Sequence, residues 1–397
     1  MFETLPEPNA DAILALMAAF RADEREDKLD LGVGVYKDPQ GRTPVMRAVR
    51  KAEKQLFDTQ ETKAYVSPIG SAPFCDAMIE QVFGADADSS RIRAAQSVGG
   101  SGALRVLTDL LKQARPDADL WVSDPTWPNH GPLLGASGFS LKKYPYYDSS
   151  SGTVAMQAML DTLSKAASDD IVLLHGCCHN PTGADMSIDQ WSQLIDLMLT
   201  RNLFPLIDLA YQGFGDGLEA DAAAVRFMAS RMPELVVAAS CSKNLGLYRE
   251  RVGAAIVVAQ NDDEATRALG RLSSVIRSNY SMPPDHGANS TELVLHNSAL
   301  NQEWREELES MRVRMVGLRE SFSEAMRKRS NSDRFDYIAR QKGMFSRLPL
   351  NTEQLETLRR DHGIYIVGDG RINVAGLPEH GMDNLADAIC SVLSESE

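Results

Sequence analysis

Cysteine is scarce in this chain, five residues in 397. That number supplies no disulfide framework, and a reducing, cytoplasmic setting is the natural expectation. Basic residues are outnumbered as well: 41 Lys and Arg against 55 Asp and Glu leave a formal charge of -14. A long-range field of that sign repels phosphates, which argues against nucleic acid and against an anionic membrane surface as partners. Long apolar runs are missing, since nothing approaches the roughly 18 consecutive apolar residues that span a bilayer. The first twenty residues carry no basic leader. Instead Ile13, Leu14, Met17 and Phe20 recur at helical spacing and predict an amphipathic helix. Low-complexity tracts and internal repeats are absent too, so the 43% hydrophobic and 24% charged composition describes an ordinary globular chain, long enough for two domains.

What is present is an alternation of short apolar runs with helical stretches. The runs are Ala94 to Val98, Leu120 to Asp124, Leu141 to Tyr146, Ile171 to His175, Phe204 to Asp208, Leu235 to Ser240 and Ala254 to Val258. Strands alternating with helices predict an α/β fold around a mostly parallel, seven-stranded sheet. In such sheets ligands bind beyond the carboxyl ends of the strands. Four polar loops sit at that end: Asp124-Pro-Thr-Trp127, His175 to Gly183, Asp208-Leu-Ala-Tyr211 and Ser240 to Lys243. Further on, Asn301 to about Arg329 predicts one connecting helix. Four short segments, Asp336 to Ile338, Met344 to Leu348, Ile364 to Val367 and Arg371 to Val374, predict a small sheet in a second, α+β unit.

Chemistry concentrates in Ser240-Cys-Ser-Lys-Asn-Leu-Gly-Leu-Tyr-Arg-Glu-Arg251. Lys243 follows a buried strand, where partial desolvation favours the neutral amine that attacks an aldehyde. Ser240, Ser242 and Arg251 offer donors for a dianionic phosphate, and together they suit pyridoxal 5'-phosphate. Taken alone, Ser-x-Ser-Lys reads more readily as a surface lysine after a strand. Gly99-Gly100-Ser101-Gly102 opens a helix, whose free amides bind phosphate, although most such turns bind nothing. Asp208 ends an apolar run and needs a cationic partner, which a pyridinium nitrogen would supply; otherwise it caps a strand end. Asn180 and Tyr211 are donors for a phenolate oxygen, and Trp127 is either a stacking face for a ring or a core residue. His175-Gly-Cys-Cys-His179 has the composition of a metal site but not the spacing of a zinc knuckle. Adjacent cysteines on an extended segment point apart, so no metal is expected.

Four ordered segments carry a family resemblance: His175-Gly-Cys-Cys-His-Asn-Pro-Thr-Gly183, Asp208-Leu-Ala-Tyr-Gln-Gly-Phe-Gly215, Ser240 to Gly253, and Gly370-Arg-Ile-Asn-Val-Ala-Gly376. From near Asp30 to Gly376 the chain resembles the aspartate and aromatic amino acid aminotransferases of class I, subgroup α. The resemblance implies a type I pyridoxal-phosphate transferase fold. It also implies three regions, namely an N-terminal arm with part of the small domain over 1–40, a large cofactor-binding domain over 41–310 and a small C-terminal domain over 311–397. It implies a homodimer with shared active sites, and Lys243 as both Schiff-base lysine and proton shuttle. Asp208 then takes the pyridine nitrogen, Asn180 and Tyr211 the phenolate oxygen, and Trp127 the ring face, with His175 behind Asp208. Phosphate falls to Gly100, Ser101, Ser240, Ser242 and Arg251, with Tyr65 reaching in from the partner subunit.

For substrate, the resemblance implies that Arg371 forks onto the α-carboxylate and that Arg277, again from the partner subunit, holds a side-chain carboxylate. Gly34 and Val33 line a lid, and Phe345 its far wall. The Asp124-Pro125 and Asn180-Pro181 bonds correspond to cis peptides in relatives. Met282, Ser101 and Ala64 depart from the residues usual in aspartate enzymes and imply a looser, more apolar pocket. The implied reaction is ping-pong transamination of aromatic amino acids or aspartate and glutamate with 2-oxo acids such as 2-oxoglutarate and oxaloacetate. Strict aspartate specificity is the alternative within the family. A non-catalytic pyridoxal-binding module and β-elimination or decarboxylation on the same fold are the rivals outside it.

Overall fold

The computed structural model describes residues 1–5 and 12–394. Seven strands form one sheet: β1 (Ile92–Val98), β2 (Leu120–Asp124), β3 (Leu141–Pro145), β4 (Ile171–His175), β5 (Phe204–Leu209), β6 (Leu235–Ser240) and β7 (Val252–Val258). Their spatial order is β1-β7-β6-β5-β4-β2-β3. All neighbours are parallel except β7, which runs antiparallel to both β1 and β6.

The central strands are apolar on consecutive residues because both faces are covered. On β6, Val236 and Ala238 pack with Leu104 and Leu107 of the helix Gly99–Ala114, while Val237 and Ala239 join Ile207, Trp191 and Leu194 on the other face. Register places His175 opposite Asp208, and Asp208 opposite Ala238. The polar residues that end three adjacent strands are thereby brought to one edge.

The connecting helix is longer than expected, a continuous Ser298–Ser330, and the expected boundary at 310/311 falls inside it. The predicted small sheet resolves into two separate two-stranded ribbons. Phe345–Arg347 pairs antiparallel with Arg371–Asn373, and Ile364–Tyr365 pairs parallel with Leu29–Asp30. That second pairing ties the N-terminal segment to the C-terminal part of the chain. The expected strand from Asp336 to Ile338 is instead the start of a short helix, Tyr337–Arg340, with Tyr337 and Ile338 buried beneath it. Three residues of apolar-polar alternation could not distinguish a strand from one helical turn.

The N-terminal helix runs Ala12–Ala22, and the part of the expectation falling on residues 6–11 lies outside the described residues. Its amphipathic reading holds only in part. Phe20 packs edge-on against Tyr365 at 5.2 Å, but Leu14 is exposed. Among the described residues, no helix is long and apolar enough to cross a membrane.

Candidate active site

A cavity of about 260 Å³ opens at the carboxyl ends of β4, β5 and β6. It gathers Gly34, Gly100, Ser101, Trp127, Asn180, Asp208, Tyr211, Ser240, Ser242, Lys243, Arg251, Phe345 and Arg371, which are thirteen of the positions singled out in the sequence. Residues far apart in sequence, Gly34 and Arg371 among them, meet there because strand ends, one helix start and two small-unit elements converge.

Lys243 sits one turn past β6, its ammonium 4.9 Å from the centre of the Tyr211 ring. Burial pushes its pKa down to about 8, against the attraction of Asp208 and with help from the cations Arg251 and Arg371. A substantial fraction of the amine is therefore neutral near physiological pH. For Tyr211 the same loss of solvent drives the phenol's pKa upward, and it stays a donor.

Asp208 ends β5. Burial alone would raise its pKa, but the hydrogen bond from His130 and the surrounding positive groups outweigh this and hold it below the ordinary carboxylate value. His130, fully buried, was not anticipated. Its Nε2 lies 3.1 Å from Asp208 Oδ2, and its Nδ1 lies 2.8 Å from Thr126 Oγ1. His175, expected behind Asp208, lies there through Thr126, its Nε2 3.3 Å from the same hydroxyl. His175 and Asp208 are register partners on neighbouring strands, and the short helix His130–Gly135 adds a nearer imidazole.

Proton positions along this line follow from one fixed donor. The Asn180 amide can only donate, and it points to His175 Nδ1 at 3.3 Å. His175 is neutral, its pKa pushed down to about 3 by burial and by His130, so its proton is on Nε2 and goes to Thr126. Thr126 in turn donates to His130 Nδ1, which leaves Nε2–H of His130 for Asp208. Asp208 thus receives a directed hydrogen bond that favours its ionised form. The one sequence signal for His130 was its place three residues after Trp127, in a polar loop ending β2; the two rings are edge-to-face at 5.2 Å.

At the other end, the helix Gly99–Ala114 presents Gly100 and Ser101 beside Ser240, Ser242 and Arg251. A Cβ on Gly100 would sit 2.9 Å from Ser240 Cβ, and one on Gly99, where φ is 66°, would sit 2.6 Å from Arg251 Nη2. Backbone and cation can come this close only because side chains are missing. Arg251 is oriented by Tyr248, whose carbonyl accepts from Nη1 at 3.1 Å. Hydroxyls, a helix N-terminus and a guanidinium around one hollow form a donor set matched to a phosphate dianion.

On the third side, Arg371 is almost fully buried. Its Nη2 donates to Gly32 O at 2.9 Å, its Nη1 approaches Asn180 Oδ1 at 3.5 Å, and its Nε has no partner. The Phe345 ring lies 4.5 Å from its guanidinium carbon. Ile13, Leu104 and Ala210 also line the cavity and were not anticipated as site residues.

Tyr65 and Arg277 do not line it. Tyr65 is 94% exposed, and Arg277 is exposed with its guanidinium against the Ser281 hydroxyl. Of the three departures, Ser101 lines the cavity, whereas Ala64 is exposed and Met282 lies outside the lining. Both Asp124-Pro125 and Asn180-Pro181 are cis. Cys177 and Cys178 do not point apart as expected: Cys178 takes φ 51°, and both sulfurs lie within 4.8 Å of each other and of an Asp221 oxygen. That carboxylate already accepts from the amides of Gly213, Gly215 and Asp216.

An amine of lowered basicity past a strand end, a carboxylate held ionised in the same cavity and a phosphate cradle at its other end define a pyridoxal-phosphate-dependent enzyme, and the residues fit that cofactor. The family model described as aminotransferase class I and II matches residues 26–389, and the chain belongs to that family. It is 46% identical to an aromatic-amino-acid aminotransferase of Paracoccus denitrificans, over 99% of this chain and 100% of the relative. It is 43% identical to an aspartate aminotransferase of Haemophilus influenzae, again over 99% and 100%. Among solved structures, an aromatic-amino-acid aminotransferase from Burkholderia pseudomallei, covalently bound to pyridoxal phosphate, superposes with a TM-score of 0.96 at 40% identity, covering 99% of both chains. Pyridoxal phosphate is the cofactor, and the protein is an aminotransferase.

Proposed function

We propose that the protein is a homodimeric, cytoplasmic enzyme that moves amino groups between aromatic amino acids or aspartate and glutamate on one side and 2-oxo acids on the other. The observation that carries the reading is the pairing, in one cavity, of Lys243 with a pKa near 8 and Asp208 held ionised by His130. Bound pyridoxal phosphate supplies the electron sink that makes an amino acid's α-proton removable. The chain supplies everything else.

Lys243 would hold the cofactor's aldehyde through its amine and, once free of it, would serve as the base and acid that moves a proton at the amino acid's α-carbon. Asp208 keeps a proton on the pyridine nitrogen. At about 4 Å and an effective dielectric near 20, that attraction is on the order of 4 kcal/mol. Tyr211 and Asn180 donate to the phenolate oxygen, Trp127 covers the ring, and Gly100, Ser101, Ser240, Ser242 and Arg251 hold the phosphate. Arg371 takes the α-carboxylate in a two-bond fork, and its unpartnered Nε is consistent with that use.

Tyr65 and Arg277 act from the partner subunit, Tyr65 on the phosphate and Arg277 on a side-chain carboxylate. Their exposure within one chain supports this, since neither lines its own chain's cavity. Dicarboxylates engage Arg277, while aromatic rings bury against Phe345 and the lid at Gly34. The test is a half-reaction titration, adding aspartate and then phenylalanine to holoenzyme without a keto acid and following the visible absorption band. Both donors are expected to bleach it stoichiometrically. Bleaching by aspartate alone would restrict the enzyme to dicarboxylates.

A further inference from the structure

The long helix Ser298–Ser330 carries one arginine that points away from solvent. Arg319 is 2% exposed. Its guanidinium donates to the carbonyls of Ile338 at 3.0 Å, Lys342 at 3.1 Å, Gly343 at 2.9 Å and Phe345 at 2.6 Å, and to the Ser346 hydroxyl at 2.6 Å. All five acceptors are neutral. A buried cation held only by carbonyls and a hydroxyl costs more than an apolar residue of the same size would. What it secures is the shape of one loop, because the four N–H bonds of Nη1 and Nη2, one of them shared, reach five acceptors only when these stand in one arrangement, while Nε has no partner.

That loop lines the cavity at one end and holds the Asn180 turn at the other. At 345 it carries Phe345, whose ring lies 4.5 Å from the Arg371 guanidinium, edge-on to Tyr211 at 5.8 Å, and against the lid at Gly34, where an added Cβ would be 3.4 Å from the ring. At 342 its amide donates to Gly183 O at 2.8 Å, and Gly183 closes the turn that bears Asn180. Gly183 has no room for a side chain, since a Cβ there would meet Phe345 O at 2.3 Å. Ser346, besides accepting from Arg319, donates to Gln341, and Gln341 reaches Gly152 O at 3.0 Å beside the seven-stranded sheet. The clamp therefore joins the connecting helix, the Phe345 wall and the Asn180 turn.

We propose that Arg319 is a positioning residue that fixes the Phe345 wall against Arg371 and so sets the fit of the amino acid in the substrate end of the cavity. This rests on the reading that the Phe345 and Arg371 end receives the substrate. Arg319 touches neither cofactor nor substrate. Its loss acts through Phe345 and leaves Lys243, Asp208 and the phosphate cradle as they are.

The experiment is a double-mutant cycle on holoenzyme with R319M, F345L and the pair, measuring kcat and KM for aspartate and phenylalanine and the visible band of the bound cofactor across pH. R319M is expected to raise KM about tenfold with kcat within about threefold, as loss of positioning without loss of chemical groups predicts. The band and its pH titration are expected to match wild type, and R319M is expected to cost little more in an F345L background, because coupled neighbours are non-additive. R319K should recover only part of the loss, since an ammonium offers three donors in place of a fork. Additive effects, or an altered cofactor band, would overturn the role of Arg319. If F345L itself leaves both KM values at wild-type levels, the substrate-end reading fails and Arg319 with it. Should R319M not fold, S346A takes its place in the same cycle, with a smaller rise in KM and the same non-additivity expected; additive behaviour there is equally decisive against the proposal.

Discussion

His130 Nε2 and Asp208 Oδ2 stand 3.1 Å apart, with the imidazole proton directed onto the carboxylate by a line of bonds that begins at the Asn180 amide. The geometry ties the charge state of Asp208 to a residue that never touches the cavity. Replacing His130 with phenylalanine leaves the carboxylate buried and short of a donor, raising its pKa. kcat should fall by about 10- to 100-fold, the order of 1.5 to 3 kcal/mol for a hydrogen bond to a charged group. The check is the pH profile of kcat, whose acid limb should move upward in H130F; an unmoved limb would separate His130 from the charge on Asp208.

Asp208 itself should tolerate glutamate far better than alanine. D208A removes the partner of the pyridine nitrogen and is expected to lose activity by about 10³-fold or more, in line with an interaction on the order of 4 kcal/mol. D208E keeps a carboxylate and should be impaired much less. Equal losses in steady-state assays would remove the ion pair from the account.

Lys243 has its pKa lowered to about 8, from an ordinary value near 10.5. Below pH 8 the amine is mostly protonated and cannot attack; above it the neutral form dominates. Capture of added pyridoxal phosphate by cofactor-free protein should accelerate as pH rises through 8 and level off well before 10.5. Stopped-flow absorbance measures this directly. Borohydride reduction should then fix the label at position 243, and K243A should bind cofactor without being labelled or turning over.

Arg277 is exposed and lies outside its own chain's cavity, so its contribution depends on a second subunit. R277L is expected to lower kcat/KM for aspartate by about 10²- to 10³-fold, the cost of leaving a side-chain carboxylate unpaired. Phenylalanine should be nearly unaffected. Parallel losses for both donors would refute a dual-specificity pocket.

Gly100 is tight against Ser240, with an added Cβ at 2.9 Å from Ser240 Cβ. G100A should press the two walls of the phosphate cradle apart and weaken pyridoxal phosphate by about 10-fold, the lower part of the range for overpacking. Equilibrium titration of cofactor-free protein provides the number, and an unchanged affinity would take Gly100 out of the cradle.

The sequence by itself determined the class of fold and most of the chemistry. Seven runs became seven strands, and the central ones were readable because a sheet covered on both faces demands consecutive buried residues, whereas Leu141–Pro145 at the edge is largely exposed. Lys243, Asp208 and Asn180 were legible for the same reason, each lying just past a run that ends at the sheet's carboxyl edge. Tertiary structure alone decided who stands next to whom. His130, which was not legible, stands nearer Asp208 than His175 does because a six-residue helix, not strand register, sets the nearer imidazole. Cys177 and Cys178 were turned to one side by a single left-handed residue. The Arg319 clamp joins carbonyls up to 26 positions away, and a carbonyl has no side-chain identity to read. Covalent order fixes the period of burial along a segment; contacts between segments are fixed only once the chain has closed on itself.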